Sequence, residues 1–348
     1  MRILLTNDDG IDAPGIRAMH AALTASDTAS QEAFGGPVGG PDTEVFTVAP
    51  MTVQSATSHG VTFHQPLMTR PTTINGQAGV AVDGRPADCV KLALTELWPQ
   101  RFGEGSRPDL VVSGMNAGAN VGINIIYSGT VAAAIEAGFL GVPAIASSLH
   151  LGRGRPDFDA GARHARRAIE RIIAADGRGP NAVGLDPHEV INVNIPRCES
   201  PEPEAEGGAQ SEEERAAMLA KAGLPMQASS GASTGDESLT GGFVPDPMLA
   251  GPDAGQPYDP EAELPLVVCP MNCHGHADAF EQRRTPGGQT YYWASAGGFD
   301  FHDVDAGSDV ELLIKRCVTV TPLRYDLTDA ERARVWGERL SGAAAAGQ

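Results

Sequence analysis

Aromatic and basic residues are both scarce in this sequence. Aromatic side chains make up 5% of the 348 residues, and 25 Lys and Arg residues stand against 44 Asp and Glu residues, a formal net charge of −19. Such a surface repels nucleic acid and anionic membranes, so we expect neither as a partner. Any phosphate ligand must then be held locally, by a metal ion or by backbone N–H groups.

Long apolar runs and a disulfide pattern are also missing. No stretch is long enough to span a bilayer, and the N-terminus has no basic, apolar, small-residue signal pattern. The cysteines are odd in number and scattered: Cys89, Cys198, Cys269, Cys273 and Cys317. They predict free thiols in a reducing environment, and we therefore expect a cytoplasmic protein.

The order of predicted elements is typical of an α/β protein. Helices are predicted to start at or near Pro14, Pro86, Thr130 and Asp159. The predicted strands are 2–6, 44–49, 61–68, 79–82, 110–112, 142–147 and 190–195. This alternation of strands and helices predicts a doubly wound, mostly parallel sheet.

Composition divides the chain into four parts. Residues 1–198 carry the alternation and form the predicted catalytic core. Residues 199–265 are rich in Glu, Pro, Gly and Ser, which predicts a largely disordered acidic insertion. Residues 266–340 return to predicted strands and a last helix, opened by the capping-box pattern Thr328-x-x-Glu331. The Ala-rich tail at 341–348 is expected to fray.

Two adjacent carboxylates, Asp8 and Asp9, follow the first predicted strand directly. Asp-Asp-Gly is also an ordinary turn sequence. Ligands of open α/β sheets, however, bind outside the carboxyl ends of the strands. Neighbouring carboxylates repel each other unless a cation lies between them or one is protonated. This position therefore favours a cation site over a solvated turn.

Three further polar stretches follow predicted strands and should meet at the same edge of a parallel sheet. They are Gln54–Ser58, Ser113–Asn120 and Tyr127–Thr130. Their hydroxyl and amide oxygens suit Mg²⁺ or Mn²⁺, and a helix start with Gly and hydroxyl residues suits a phosphate group. The combination predicts hydrolysis of a phosphate ester. Each signal also has a plainer interpretation, such as a helix cap at Ser128 or a solvated loop residue at Ser55.

Two alternatives remain open at this point. The pattern Cys269-x-x-x-Cys273-His274-x-His276 hints at zinc, although its spacing is irregular for a structural zinc site. Paired acidic residues after a first strand also occur in phospho-acceptor signalling modules of the receiver type. Those modules need a phosphorylatable Asp after the third strand and a Lys after the fifth, where this chain has Ser113 and Ser147-Ser148.

Several stretches together resemble one known family, the SurE survival-protein nucleotidases. They are Met1–Gly10, Gly84–Val90, Pro108–Asn120, Tyr127–Ala134, Asn192–Pro196 and Val318–Leu323. The resemblance implies a Rossmann-like fold whose C-terminal extension of strands and helix is exchanged between subunits of a homodimer or homotetramer. It also implies a metal-dependent phosphatase of nucleoside 5′- and 3′-monophosphates, with some activity on short polyphosphate.

The resemblance also assigns roles to individual residues. The residues implied as ligands of one Mn²⁺ or Mg²⁺ per subunit are Asp8, Asp9, Ser55 and Asn116, the first two being catalytic as well. Those implied near the phosphate are Asn7, Ser113, Gly114, Ser128, Gly129 and Thr130. Whether Asp8 attacks or only binds metal is left open. The chain departs from the family pattern at Ala56, in the loop of Ser55, and at Arg85.

Overall fold

The computed structural model describes residues 1–152, 154–175, 184–200, 259, 262–275, 279–294 and 301–345. Most of the predicted insertion at 199–265 and the last residues of the predicted tail lie outside the described residues. The four-part division of the chain therefore stays a prediction. None of the described helices is long and apolar enough to cross a membrane.

The strands and helices alternate through the first part of the chain. The strands are Arg2–Thr6 (β1), Glu44–Pro50 (β2), Thr69–Ile74 (β3), Gln77–Val82 (β4), Leu110–Ala117 (β5), Ala144–Leu149 (β6), Arg155–Pro156 (β7), Val190–Ile195 (β8), Glu199–Ser200 (β9), Leu266–Val268 (β10), Phe280–Arg284 (β11), Thr290–Ala294 (β12) and Val318–Leu323 (β13). The α-helices are Pro14–Thr24 (α1), Thr28–Phe34 (α2), Pro86–Leu92 (α3), Trp98–Phe102 (α4), Gly129–Phe139 (α5), Phe158–Ile173 (α6), Asp309–Ile314 (α7) and Ala330–Ala345 (α8). A short π-helix, Ala93–Leu97, joins α3 to α4, and a 3₁₀ turn, Gly122–Tyr127, precedes α5.

The central sheet has nine strands in the order β10-β13-β8-β6-β5-β1-β2-β4-β3. All neighbours from β8 to β4 run parallel. At the ends, β3 is antiparallel to β4 and β13 is antiparallel to β8, while β10 runs parallel to β13. The mostly parallel α/β fold is thus confirmed. Strands β11 and β12 form a separate antiparallel hairpin.

The sheet is covered on both faces, as the apolar run in β1 requires. Leu4 packs in the cluster that includes α3 and α5, whereas Ile3 and Leu5 pack in the cluster that includes α1 and α6. All three side chains are completely buried. Because successive side chains of a strand point to opposite faces, a continuous apolar run marks a strand that is buried on both sides. Because β1 and β5 are parallel neighbours in this sheet, the loops at their carboxyl ends meet at the same edge.

Three local predictions differ from the structure. The predicted strand at 61–68 is wrong, because those residues form a loop and the strand begins at Thr69. The loop predicted after Val112 instead contains the end of β5 and the 3₁₀ turn. The predicted capping box is also wrong: α8 begins at Ala330, and Asp329 caps it by accepting the Arg332 N–H at 2.8 Å.

Candidate metal and phosphate site

The Asp8 carboxylate is held by the first turn of α5. Its Oδ1 accepts the Thr130 hydroxyl at 2.5 Å, and its Oδ2 accepts the Thr130 N–H at 3.1 Å. Only 5% of Asp8 is exposed. Burial raises the pKa of Asp8 above its usual value, and the hydrogen bonds from Thr130 oppose that rise. The start of α5 therefore orients this carboxylate and favours its charged form.

The Asp9 carboxylate lies beside it and is held by β5. Its Oδ2 accepts the Ala117 N–H at 2.8 Å. Burial and the neighbouring charge of Asp8 raise the pKa of Asp9 to about 7. In the described part of the chain, no Lys or Arg forms an ion pair with either carboxylate. Two buried carboxylates in this state are costly unless a cation or a proton compensates them.

The side chain of Asn116 carries an oxygen of the type that could hold a cation at such a site. It lies near the end of β5, next to Ala117, and is half-buried. Its Nδ2 donates to the Gly118 carbonyl at 2.7 Å, which fixes the amide and directs its donor end into the loop. The amide oxygen remains as a hard ligand of the kind that Mg²⁺ and Mn²⁺ prefer. The donor set thus fits a hard divalent cation.

Ser55 reaches the same edge only through its neighbour. The Gln54 N–H donates to the Asp8 carbonyl at 2.7 Å, which ties the backbone of this loop to the end of β1. The Ser55 side chain itself is exposed. The sheet therefore brings Asp8, Asp9 and the end of β5 with Asn116 to one edge, and the loop holds the residue before Ser55 against the end of β1.

The residues implied for phosphate binding differ in their hydrogen bonds and packing. Asn7 donates from Nδ2 to the Gly10 carbonyl at 2.8 Å. Its Oδ1 and the Ser113 hydroxyl are buried and meet no hydrogen-bond partner among the described residues. Gly114 has φ +136° and packs so closely on the Ser147 carbonyl that a side chain there would overlap it. This glycine is required for the packing of β5 on β6.

The start of α5 is built so that it can touch Asp8. The Ser128 hydroxyl accepts the Val131 N–H at 3.1 Å, so it does cap the helix. A Cβ on Gly129 would lie 2.9 Å from Asp8 Cβ and 3.0 Å from its Oδ2. Only a glycine allows the helix start to approach the carboxylate this closely. Both donors of Thr130 are directed at Asp8, so the primary contact of Thr130 is with the carboxylate.

An amide cluster beneath the loop after β5 was not assigned from the sequence. Asn194 pairs with the backbone of Asn120, since its Oδ1 accepts the Asn120 N–H at 2.8 Å and its Nδ2 donates to the Asn120 carbonyl at 2.9 Å. Asn192 Nδ2 donates to the same carbonyl at 2.7 Å, and Asn120 Nδ2 donates to Ser148 Oγ at 2.8 Å. Asn at alternate positions of an apolar strand was the sequence signal for this cluster.

The cysteine and histidine pattern does not gather into a metal site among the residues that are described. Cys269 is buried and lies 3.6 Å from Thr321 Oγ1, whereas Cys273 is exposed and His274 Nε2 lies 3.1 Å from Asp305 Oδ1. His276 lies outside the described residues. Within the described ranges, no three or more His, Cys, Asp or Glu side chains are grouped to hold a metal ion. The candidate site therefore depends on two carboxylates together with amide and hydroxyl oxygens.

Comparison with known proteins identifies the family. The model of the family described as survival protein SurE matches residues 3–216. The 5′-nucleotidase SurE of Heliobacterium modesticaldum is 32% identical over 98% of this chain and 93% of its own length. That of Rhodopirellula baltica is 34% identical over 94% of each chain. A crystal structure of the SurE protein from Aquifex aeolicus superposes with a TM-score of 0.58 at 25% identity, covering 95% of this chain and 96% of that one. This chain therefore belongs to the SurE survival-protein family.

Proposed function

We propose that this chain is a divalent-metal-dependent phosphatase that converts nucleoside 5′-monophosphates to nucleoside and inorganic phosphate. Relatives that match nearly its full length are named 5′-nucleotidase SurE. The observation that carries the metal dependence is the pair of buried carboxylates, Asp8 and Asp9, whose pKa values are both raised by burial. A hard cation compensates this paired charge, and the surrounding oxygen atoms match its preferences.

In this proposal, Asp8, Asp9, Asn116 and Ser55 hold one Mn²⁺ or Mg²⁺ ion. When bound, the ion supplies charge neutralisation at a phosphate oxygen and acidifies a bound water molecule. Thr130 orients Asp8 through the two hydrogen bonds described above and opposes the rise in its pKa that burial causes. It thereby favours the charged form that both a ligand and a nucleophile require.

The phosphate group of the substrate is proposed to sit between Ser113 and the start of α5. The Ser113 hydroxyl is a buried group without a described partner, and the first turn of a helix attracts anions. Beside this turn, Ile126 and Tyr127 are 55% and 58% exposed and offer apolar surface to a nucleoside base. Because the contacts centre on the phosphate, we extend the proposal to 3′-monophosphates and short polyphosphate as secondary substrates.

Phosphate release from purified protein tests the proposal. AMP, 3′-AMP, short polyphosphate and ribose 5-phosphate, which lacks a base, are assayed after EDTA treatment and after addition of Mn²⁺ or Mg²⁺. We expect no turnover after chelation, recovery with the metal, and a higher kcat/KM for AMP than for ribose 5-phosphate. Full activity after exhaustive chelation contradicts the metal dependence. A stable acyl-phosphate from acetyl phosphate, without turnover, would instead favour the receiver-type alternative.

We also propose that the protein is a homodimer or homotetramer in which the C-terminal extension contributes to the contact. The hairpin of β11 and β12 exposes large apolar side chains, with Phe280, Tyr292 and Trp293 between 59% and 65% exposed. Exposed aromatic surface of this kind marks interaction sites. Light scattering on wild type and on Trp293→Ser tests this. A monomeric wild type contradicts the proposal, and a shift of the variant towards monomer supports it.

A further inference from the structure

The 3₁₀ turn before α5 is fixed at its start by the C-terminal part of the chain. Asp309, in α7, is completely buried. Its Oδ2 accepts the Gly122 N–H at 2.9 Å, and its Oδ1 accepts the Asn272 N–H at 2.8 Å. Gly122 has φ +62°, and a Cβ there would lie 2.8 Å from Phe301 Cε1. A charged acceptor and a close packing contact thus fix this end of the turn.

The other end of the turn carries the loop of Ser55. The Ser58 hydroxyl donates to the Ile126 carbonyl at 2.7 Å, and the Ser58 N–H donates to the Tyr127 carbonyl at 3.1 Å. Ser58 is three residues from Ser55 and has φ +54°, a conformation that a serine adopts only when its surroundings hold it there. These two hydrogen bonds attach the exposed part of the loop to the turn.

We propose that the turn Gly122–Tyr127 is a strut through which Asp309 positions the loop of Ser55. Asp309 and Ser58 are then positioning residues for metal binding, an inference that rests on the proposed function because it takes Ser55 as a metal ligand. The loop after β5, which follows Asn116, is held separately, because the Asn194 amide pairs with the backbone of Asn120. Loss of the strut should therefore affect the Ser55 side of the site and leave Asn116 in place.

Asp309→Asn and Ser58→Ala test the strut. The first replaces one carboxylate oxygen with an NH₂ group, so that either Gly122 loses its acceptor at Oδ2 or Asn272 and Val310 lose theirs at Oδ1. Direct Mn²⁺ binding, measured from the electron paramagnetic resonance signal of the free ion, should weaken by about tenfold in each variant. Turnover at saturating Mn²⁺ should stay within about threefold, and amide exchange should rise at 51–60 but not at 116–120. Glu311→Gln is the matched control, because it removes the same charge from α7 but contacts Gly307 and Lys315 instead.

The double variant decides whether the two residues act in series. If they share one strut, the double variant Asp309→Asn/Ser58→Ala should bind Mn²⁺ no more weakly than the single variant with the lower Mn²⁺ affinity. Fully additive losses, or wild-type Mn²⁺ binding in Asp309→Asn, overturn the inference.

If Asp309→Asn does not fold, Gly122→Ala replaces it, because its Cβ displaces the same end of the turn. If Ser55→Ala binds Mn²⁺ normally, the proposed ligand set fails; if it binds weakly while Asp309→Asn binds normally, only the strut fails.

Discussion

At the scale of single residues, Thr130 distinguishes a catalytic role from a structural one. Thr130→Val keeps the shape and the backbone N–H but removes the hydroxyl that donates to Asp8 Oδ1. We expect kcat to fall on the order of 10²-fold, as for the loss of an aligned donor in an active site. Thr130→Ser keeps the hydroxyl and should stay near wild type. If the Thr130 hydroxyl has only a structural role, the valine variant should instead lose about 1 kcal/mol of stability with its hydrogen bond to Asp8 and keep its kcat.

The two carboxylates should differ in their response to added metal. Asp9→Asn removes one charge at constant size, so Mn²⁺ affinity should fall and high Mn²⁺ should restore part of the rate. Asp8→Asn should not be restored if Asp8 attacks the phosphate or transfers a proton, because an amide does neither. Rates measured across a Mn²⁺ titration compare the two variants. A fully active Asp8→Asn enzyme would contradict the site as a whole.

The sequence could predict these carboxylates but not what holds them. Asp8 and Asp9 follow an apolar strand, and that position alone places them at the ligand-binding edge of a parallel sheet. The donor to Asp9 is the backbone N–H of Ala117, which any residue except proline would supply. Asp309 is distant in sequence and reaches Gly122 only through the tertiary fold. Contacts of these two kinds leave no local pattern in a sequence.

At the scale of elements, buried strands were readable and edge strands were not. β1 and β8 are apolar and were predicted at their observed bounds. β3 is an exposed edge strand that contains Pro71, which is tolerated at an edge because no ladder N–H is needed there. Its one clear signal was the turn Asn75-Gly76, with φ of 47° and 81°, a pair typical of tight hairpins.

Gly129→Ala tests the close approach of α5 to the first strand end. Its Cβ would lie within 3.1 Å of both Asp8 and Pro86, so either the helix start or the carboxylate must move. We expect kcat/KM to fall by roughly tenfold or more, because small displacements of catalytic groups are costly. Gly337→Ala in α8 is the control, since a Cβ there meets nothing within 4 Å, and it should gain about 0.5–1 kcal/mol. An equally active Gly129→Ala enzyme would show that the approach is not needed.

At the scale of the whole molecule, two sets of buried groups give stability opposite dependences on pH. Burial raises the pKa of Asp9 to about 7, so its contribution is present at low pH and is lost as pH rises towards 7. Burial lowers the pKa of three histidines, so their contribution is present at neutral pH and is lost as pH falls below their unfolded value of about 6.5. The lowered values are about 4 for His20, about 3 for His150 and about 4 for His164.

The contribution of Asp9 to the pH dependence of stability should therefore be visible when metal-free wild type is compared with metal-free Asp9→Asn. Between about pH 4 and pH 7, the free energy of unfolding should rise more steeply with pH in the variant than in wild type. In this range wild type releases the Asp9 proton on unfolding, so a higher pH favours its unfolding, and the variant has no such proton to release. Mn²⁺ binds the ionised carboxylates, so the increase in Tm that it gives wild type should be larger at pH 7 than at pH 5. In Asp9→Asn this gain should be small at both pH values. Thermal unfolding of the two proteins, with EDTA or with Mn²⁺, measures all of these slopes. Equal stabilisation of wild type by Mn²⁺ at pH 5 and pH 7 would mean that the cation does not compete with protons for Asp8 and Asp9, and the metal would have to bind elsewhere.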